Sequence, residues 1–347
     1  MISCPSLSLM LSPVLPAVLL VVLPAEAPDP VSEDDFLLVY EGREGPGEGK
    51  HVVLVAGDEE YRSEEALPML ARILAEHHGF RCTVLFSTDP QTGLIDPENQ
   101  THIPGLEVLA QADMLVLFLR FRELPDEDMR HVADYVESGK PILGIRTSTH
   151  AFQYKRDRES PFVKYGGNDE WRGGFGRQIL GEQWVNHHGG HGRQSTRGVI
   201  EKSHADHPVL RGVDDVWGPT DVYATRELPE GTQVLLWGQV LQGMQPDSPA
   251  LEGPKNDPMM PILWVREMAL EEGQTRRVVC STIGASVDLA SAGLRRALVN
   301  SCYWGMRLED DMPERSKVEI VGTYEPSMFG FGKFKEGVHP RDLLLNE

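Results

Sequence analysis

Cysteine is scarce in this chain, cationic side chains are outnumbered, and the usual nucleotide fingerprints are missing. Four cysteines in 347 residues leave no disulfide-dense mini-fold and no Cys-x-x-Cys pair for a zinc knuckle. Lys and Arg number 33 against 53 Asp and Glu, a formal charge of -20. Such a chain repels phosphate backbones, which excludes nucleic acid as a general partner. No Gly-x-Gly-x-x-Gly follows the first strand pattern and no Walker A sequence occurs, so no nucleotide cofactor is expected. Internal repeats and low-complexity tracts are lacking too. What remains is 40% hydrophobic and 25% charged, the mix of a globular chain with one large core.

The N-terminus stands apart. Leu7 to Leu23 is mostly apolar and is followed by Ala25-Glu26-Ala27, an A-x-A-like cleavage signal. Pro13, Pro16 and Pro24 make the run a poor membrane span, so a secretory signal peptide over 1–27 is expected. Its departure from pattern is the absence of Lys or Arg before the run. The mature chain is then exported, to a periplasmic or extracellular place, with no stable membrane span. Cleavage removes Cys4 and leaves Cys82, Cys280 and Cys302, expected as core thiols. Residues 28–50, rich in Pro, Gly, Asp and Glu, suit a linker; 51–310 form the domain, and 311–347 a C-terminal extension.

Within the domain, short apolar runs alternate with helical patterns. His51–Ala56, Thr83–Phe86, Met114–Leu119 and Pro141–Ile145 read as strands. Between them, Ser63 is placed to cap a helix that Gly79 ends, Ile103–Ala110 is a short helix, and Asp126–Glu137 a longer one. This predicts an α/β fold: a flavodoxin-like open, mostly parallel sheet with helices on both faces. Val199-Ile200, Gln233–Val240, Pro261–Val265 and Arg277–Thr282 extend the sheet, and Ala292–Met306 is a helix. Tyr165–Gly192 is a loop-rich insertion. The tail carrying Phe329-Gly-Phe-Gly-Lys-Phe334 is expected as an arm lying over the domain.

In such a sheet, ligands gather beyond the carboxyl ends of the strands. Three of those ends are polar: Gly57–Arg62, Arg120–Glu123 and Arg146–His150. Glu60, Tyr61, Arg120 and Thr147 are therefore substrate-binding candidates, against the plain alternative that such loops face solvent. The Gly144–His150 turn sits where a sharp strand-to-helix bend lifts a nucleophile. No cysteine lies between Cys82 and Cys280, so a thiolate there is excluded. Thr147, Ser148 or Thr149 could replace it as an ester-forming hydroxyl, or simply cap the following segment. A second cluster, Trp184-Val-Asn-His187-His188-Gly-Gly-His191, brings three histidines within five residues. His187, His188 and His191 are candidate ligands for a divalent metal such as zinc, with Asp221 or His150 joining. The alternatives are acid/base work, sugar binding, or a loop whose histidines meet backbone and water. Trp184 is a candidate stacking platform, as is Trp171; Trp237 and Trp264 suit the core. His204 and His207 suit capping.

Several motifs taken in order resemble the ThuA-like, or trehalose-utilisation, domains. They are Val53–Gly57, Ala112–Phe118, Tyr135–Pro141, Gly144–Phe152, His187-His188, His207–Val213, Asn256–Pro261 and Leu294–Asn300. The form is similar to that of exported planctomycete-type proteins. The resemblance implies a class I glutamine amidotransferase-like fold without the amidotransferase cysteine. It also implies a role in sugar metabolism, with trehalose-related or 3-keto glycosides as substrates. Catalytic expectations follow: His150 or His187 as base, Asp221 as orienting group and Arg146 as electrophile, with Tyr223 beside Asp221 in substrate binding. Competing expectations are a non-catalytic carbohydrate-binding or sensing module and a hydrolase using Ser148 or Thr147. The expected partner is a small-molecule carbohydrate, and homo-oligomerisation is left open.

Overall fold

The structure, a computed structural model, describes residues 1–2, 36–270 and 273–344. Beyond residues 1–2, the expected signal peptide, its cleavage site and Cys4 lie outside the described residues. Ten strands form one sheet: β1 (Leu38–Tyr40), β2 (His51–Gly57), β3 (Arg81–Phe86), β4 (Met114–Leu119), β5 (Ile142–Ile145), β6 (Thr196–Ile200), β7 (Trp217–Gly218), β8 (Gln233–Val240), β9 (Met260–Ala269) and β10 (Thr275–Ser281). Their spatial order is β1-β3-β2-β4-β5-β10-β9-β8-β6-β7.

The block β3-β2-β4-β5-β10 is parallel, while β1 at one edge and β9, β8, β6 and β7 at the other pair antiparallel. The sheet is therefore mixed, and the expectation of a mostly parallel one holds for its first half only. The second half does extend the same sheet: β10 joins β5 in parallel, and β9, β8, β6 and β7 follow as antiparallel neighbours. Part of the expected 28–50 linker is also structured, since β1 lies within it.

Helices cover both faces of the parallel block. Val52, Leu54 and Ala56 of β2 point to one side, where α1 (Ser63–His78) packs with Leu67, Leu70 and Leu74. Val53 and Val55 point to the other, where α2 (Asp126–Glu137) packs with Met129, Val132 and Val136. Burial on both faces is why every residue of β2 is apolar or small after His51. A short helix, α3 (Val163–Gly166), leads into the insertion. The last helix, α4 (Ala292–Gly305), adds Leu294, Leu298 and Cys302 to the α1 side.

Gly79 ends α1 in the left-handed conformation, as expected. Ser63 does not cap α1: it is the first helical residue, and its hydroxyl accepts from Asp58 N at 3.0 Å. Cys82, Cys280 and Cys302 are free and buried, and burial raises the pKa of each thiol. No helix among the described residues is long and apolar enough to cross a membrane.

Candidate functional site

The three polar strand ends do converge. The turn after β2 is folded by Asp58, whose carboxylate accepts from the amides of Glu60 and Tyr61 and from the Thr147 hydroxyl. The turn after β5 begins at Arg146, which takes a left-handed backbone at φ 47. A non-glycine residue there is uncommon and needs surrounding contacts to hold it. Those contacts are clear. The Arg146 guanidinium donates to the carbonyls of Asp221 (2.7 Å) and Thr282 (2.6 Å), to Tyr61 OH (3.3 Å) and to Asp221 Oδ1 (3.0 Å). It also stacks between two rings, 4.5 Å from the Tyr61 centroid and 3.8 Å from that of Tyr223. Burial opposes its charge, and Tyr223, Tyr61, Asp221 and Asp288 around it more than offset that.

Asp221, on the loop between β7 and β8, is the hub. Its Oδ2 meets His187 Nδ1 at 2.8 Å, and its Oδ1 meets His191 Nδ1 at 3.3 Å. Burial alone would raise its pKa, but the His187 hydrogen bond and the Arg146 charge outweigh it and bring it down to about 2. An ionised Asp221 has no proton to give, so His187 donates from Nδ1, which leaves Nε2 as the ring nitrogen not engaged by Asp221. The His187 loop reaches Asp221 through a bridge between His187 and Tyr223. That approach requires Gly189: a Cβ there would sit 2.8 Å from Asp221 Cβ.

On its other side His191 Nε2 lies 3.4 Å from Glu60 Oε1. Burial, then the charge of Asp58, raise the Glu60 pKa against the opposing Arg120, His191 and Arg146. One imidazole thus bridges two carboxyls pushed in opposite directions. Glu59 ties the turn to the end of β4 through Arg120 and through Arg122 Nη2 at 2.8 Å.

The candidates from the sequence separate into four groups. His187, His191, Asp221 and Glu60 form one cluster, with Arg120 beside Glu60 (3.7 Å) and Trp184 beside His187 (ring centroids 5.8 Å). Tyr61, Tyr223, Thr147 and Arg146 lie beneath it, each at most 2% exposed, so the first two clamp Arg146 and the third anchors Asp58. His188 turns away, with Nε2 2.8 Å from the Lys255 carbonyl oxygen. The three histidines therefore do not assemble as a ligand set; the residues whose donor atoms do gather, all within 4.8 Å, are His187, His191 and Asp221. His150 is buried between Phe121 (4.8 Å) and Trp184 (5.3 Å). Burial, then Arg120, Arg146 and His187, press its pKa well below the usual imidazole value.

The hydroxyls of the elbow are engaged: Ser148 donates to Leu117 O at 2.7 Å and Thr149 to Arg146 O at 3.4 Å. They do not cap the turn that follows β5. Trp171 lies away from the cluster, against Tyr165. Asp58, Glu59 and the arm residue Phe329, whose ring stands 5.2 Å from His191, lie in segments the sequence pointed to but were not singled out as site residues. The run Asp58-Glu-Glu60 at the end of β2 was the available signal for the two acids.

A family model described as ThuA, trehalose utilisation, matches residues 51–304. No curated protein matches the chain. Among solved structures it is similar to a ThuA-like protein from Parabacteroides merdae, 14% identical over 74% of this chain and 90% of that one, with a TM-score of 0.45. It is also similar to a ThuA-like protein from Bacteroides uniformis, 13% identical over 76% of this chain and 94% of that one, with a TM-score of 0.45.

Proposed function

The chain belongs to the ThuA trehalose-utilisation family, and from that premise we propose that it is a sugar-active enzyme working on a trehalose-related or 3-keto glycoside by acid/base chemistry. The observation that carries this reading is the pair of carboxyls around His191, one held ionised and one pushed toward the neutral form. Environments that separate two such groups assign an acid and a base. His187 Nε2 takes the proton from the carbon beside the sugar carbonyl, and the broken C–H bond's electrons form the enolate. Asp221 holds the ring and stabilises the imidazolium. The enolate electrons then return to re-form the carbonyl, a C–C double bond forms beside it, the C–O glycosidic bond breaks, and Glu60 supplies a proton to the departing oxygen. Arg146 is a positioning residue, because its guanidinium is buried and bound to Asp221, Thr282 and Tyr61. Arg120, about a fifth exposed, is the guanidinium at the mouth. None of these steps needs a thiol, so glutamine hydrolysis is not part of the proposal.

A metal-assisted form of the same reaction is the second reading, favoured by the two imidazoles and one carboxylate whose donor atoms lie within 4.8 Å. That donor set fits zinc or a similar divalent ion, which when bound would act as a Lewis acid on the sugar oxygen. Zinc titration of the chain by calorimetry, with His191→Ala as the control, tests it directly.

Two finer points accompany the proposal. The parallel strands run β3-β2-β4-β5-β10 in space, an order that supports a flavodoxin-like, class I glutamine amidotransferase-like sheet. The apolar run before Ala25-Glu26-Ala27 supports export.

The test is proton NMR of the chain with a 3-keto glucoside in D₂O. Loss of the signal beside the carbonyl is expected for the native protein, slowed ~100- to 10,000-fold by His187→Ala or Asp221→Asn. Line broadening with no exchange and no product would replace the enzyme by a binding module. Full turnover in His187→Ala together with loss in His150→Ala would move the base to His150.

A further inference from the structure

Twenty residues beyond the family-matched segment, the C-terminal arm returns to the site. Tyr324 OH donates to Ser286 O at 2.7 Å, and Ser327 N donates to Glu65 Oε2 at 2.7 Å. Gly330 is held on both sides: its N–H donates to Glu60 O at 2.7 Å, and its carbonyl accepts from Arg62. These bonds fix two phenylalanines in different ways. Phe329 is buried, 5.6 Å from the Tyr61 ring and 5.2 Å from His191, and so walls the cluster. Phe331 is 56% exposed.

An exposed phenylalanine at a loop tip is ordinary; this one is held in place. The Arg120 guanidinium lies 5.0 Å from the Phe331 ring and 4.7 Å from that of Phe121. Arg120 is itself bound to Glu59 and lies 3.7 Å from Glu60. Phe331 therefore rests on a fixed cation beside Glu60, and much of its ring is in solvent. A flat apolar face next to anchored charges is what the C–H face of a pyranose requires: the ring stacks, and neighbouring polar groups meet its hydroxyls.

We propose that Phe331 is the platform for the second ring of a two-ring glycoside, whose first ring lies over His187 and His191. This rests on the sugar reading above and adds that the arm selects two-ring over one-ring ligands.

Calorimetric titration of the full chain with trehalose and with methyl glucoside tests it, in the native protein, Phe331→Ala and Phe331→Trp. The ratio of trehalose to methyl glucoside affinity is expected to fall roughly tenfold in Phe331→Ala, the scale of one lost aromatic stack. Phe331→Trp should restore it. An unchanged ratio in Phe331→Ala overturns the platform and leaves the sugar reading standing. So does an equal loss for both sugars with a lowered melting temperature, which would make Phe331 a support for the arm alone. If neither sugar binds the native protein, the platform falls, while the 3-keto reading stands or falls by its own proton-exchange test.

Discussion

In the parallel half of the sheet, the turns after β2 and β5 carry buried polar side chains bonded to one another, Thr147 to Asp58 and Arg146 to Tyr61. The antiparallel half contributes through longer loops, and its histidines, His187 and His191, keep about a third of their side-chain surface in solvent. The first half supplies rigid support, and the second supplies groups able to meet a substrate. A proton-transferring imidazole needs both: access on one nitrogen and a fixed partner on the other. Asp221 provides the join, reaching Arg146 on one side and the histidines on the other.

Breaking that join should have the largest effect. Arg146→Met leaves Asp221 buried without its cation, and a loss of ~3–5 kcal/mol of stability is expected in urea unfolding, with proton exchange on the 3-keto sugar lost as well. A smaller wedge acts on one side only. Gly189→Ala puts a methyl group against Asp221 and Val222 N, and should cost about 1–3 kcal/mol. Turnover should fall more than stability does, because the displaced group is the His187 loop.

The two regions should also answer pH in opposite directions. Glu64, at the start of α1, is buried, and that burial lifts its pKa from 4.5 to about 8. A raised folded value means stability fully present below pH 4.5 that declines by about 1.4 kcal/mol per unit as pH rises from 4.5 and is lost once it passes about 8. Asp221 is lowered from 3.8 to about 2, so its contribution is present above pH 3.8 and lost as pH falls toward 2. Denaturation midpoints of Glu64→Gln against the native protein should show the decline between pH 4.5 and 8 flattened and the limb below pH 3.8 intact. The smallest effect belongs to His188→Ala. It removes one hydrogen bond to the Lys255 carbonyl, worth about 0.5–1.5 kcal/mol, and should leave turnover untouched where its neighbour His187 does not.

The same contrast governs how far the sequence could be read. β2, β4 and α2 were legible nearly residue for residue, because burial on both faces forces continuous apolar runs and a helix stripe forces a 3.6 period. Edge strands were less so: β1 and β7 have three and two residues, too few for any period. At the site, His187, His191, Asp221 and Glu60 were all named, since unusual chemistry at strand ends and in a glycine-rich loop is visible as composition. Which ring turns where was not visible. His187 and His188 are adjacent in the chain, yet one faces Asp221 and the other the Lys255 carbonyl. The arm's contacts were beyond reach for a simpler reason: Gly330 meets Arg62 across 268 residues, a pairing no local pattern encodes.

The bond between Arg146 and Asp221 also spans 75 positions, and it bears on the order in which the molecule becomes competent. The elbow belongs to the earlier-synthesised part of the sheet, and its left-handed backbone is held by acceptors at Asp221 and Thr282 that arrive later. Until they arrive, the guanidinium has no fixed seat and His187 has no acceptor to set its tautomer. On the proposed reading, a half-folded chain therefore carries every site residue without its proposed base in place. Activity regained during refolding should lag the formation of helix and follow closure of the last long-range contacts.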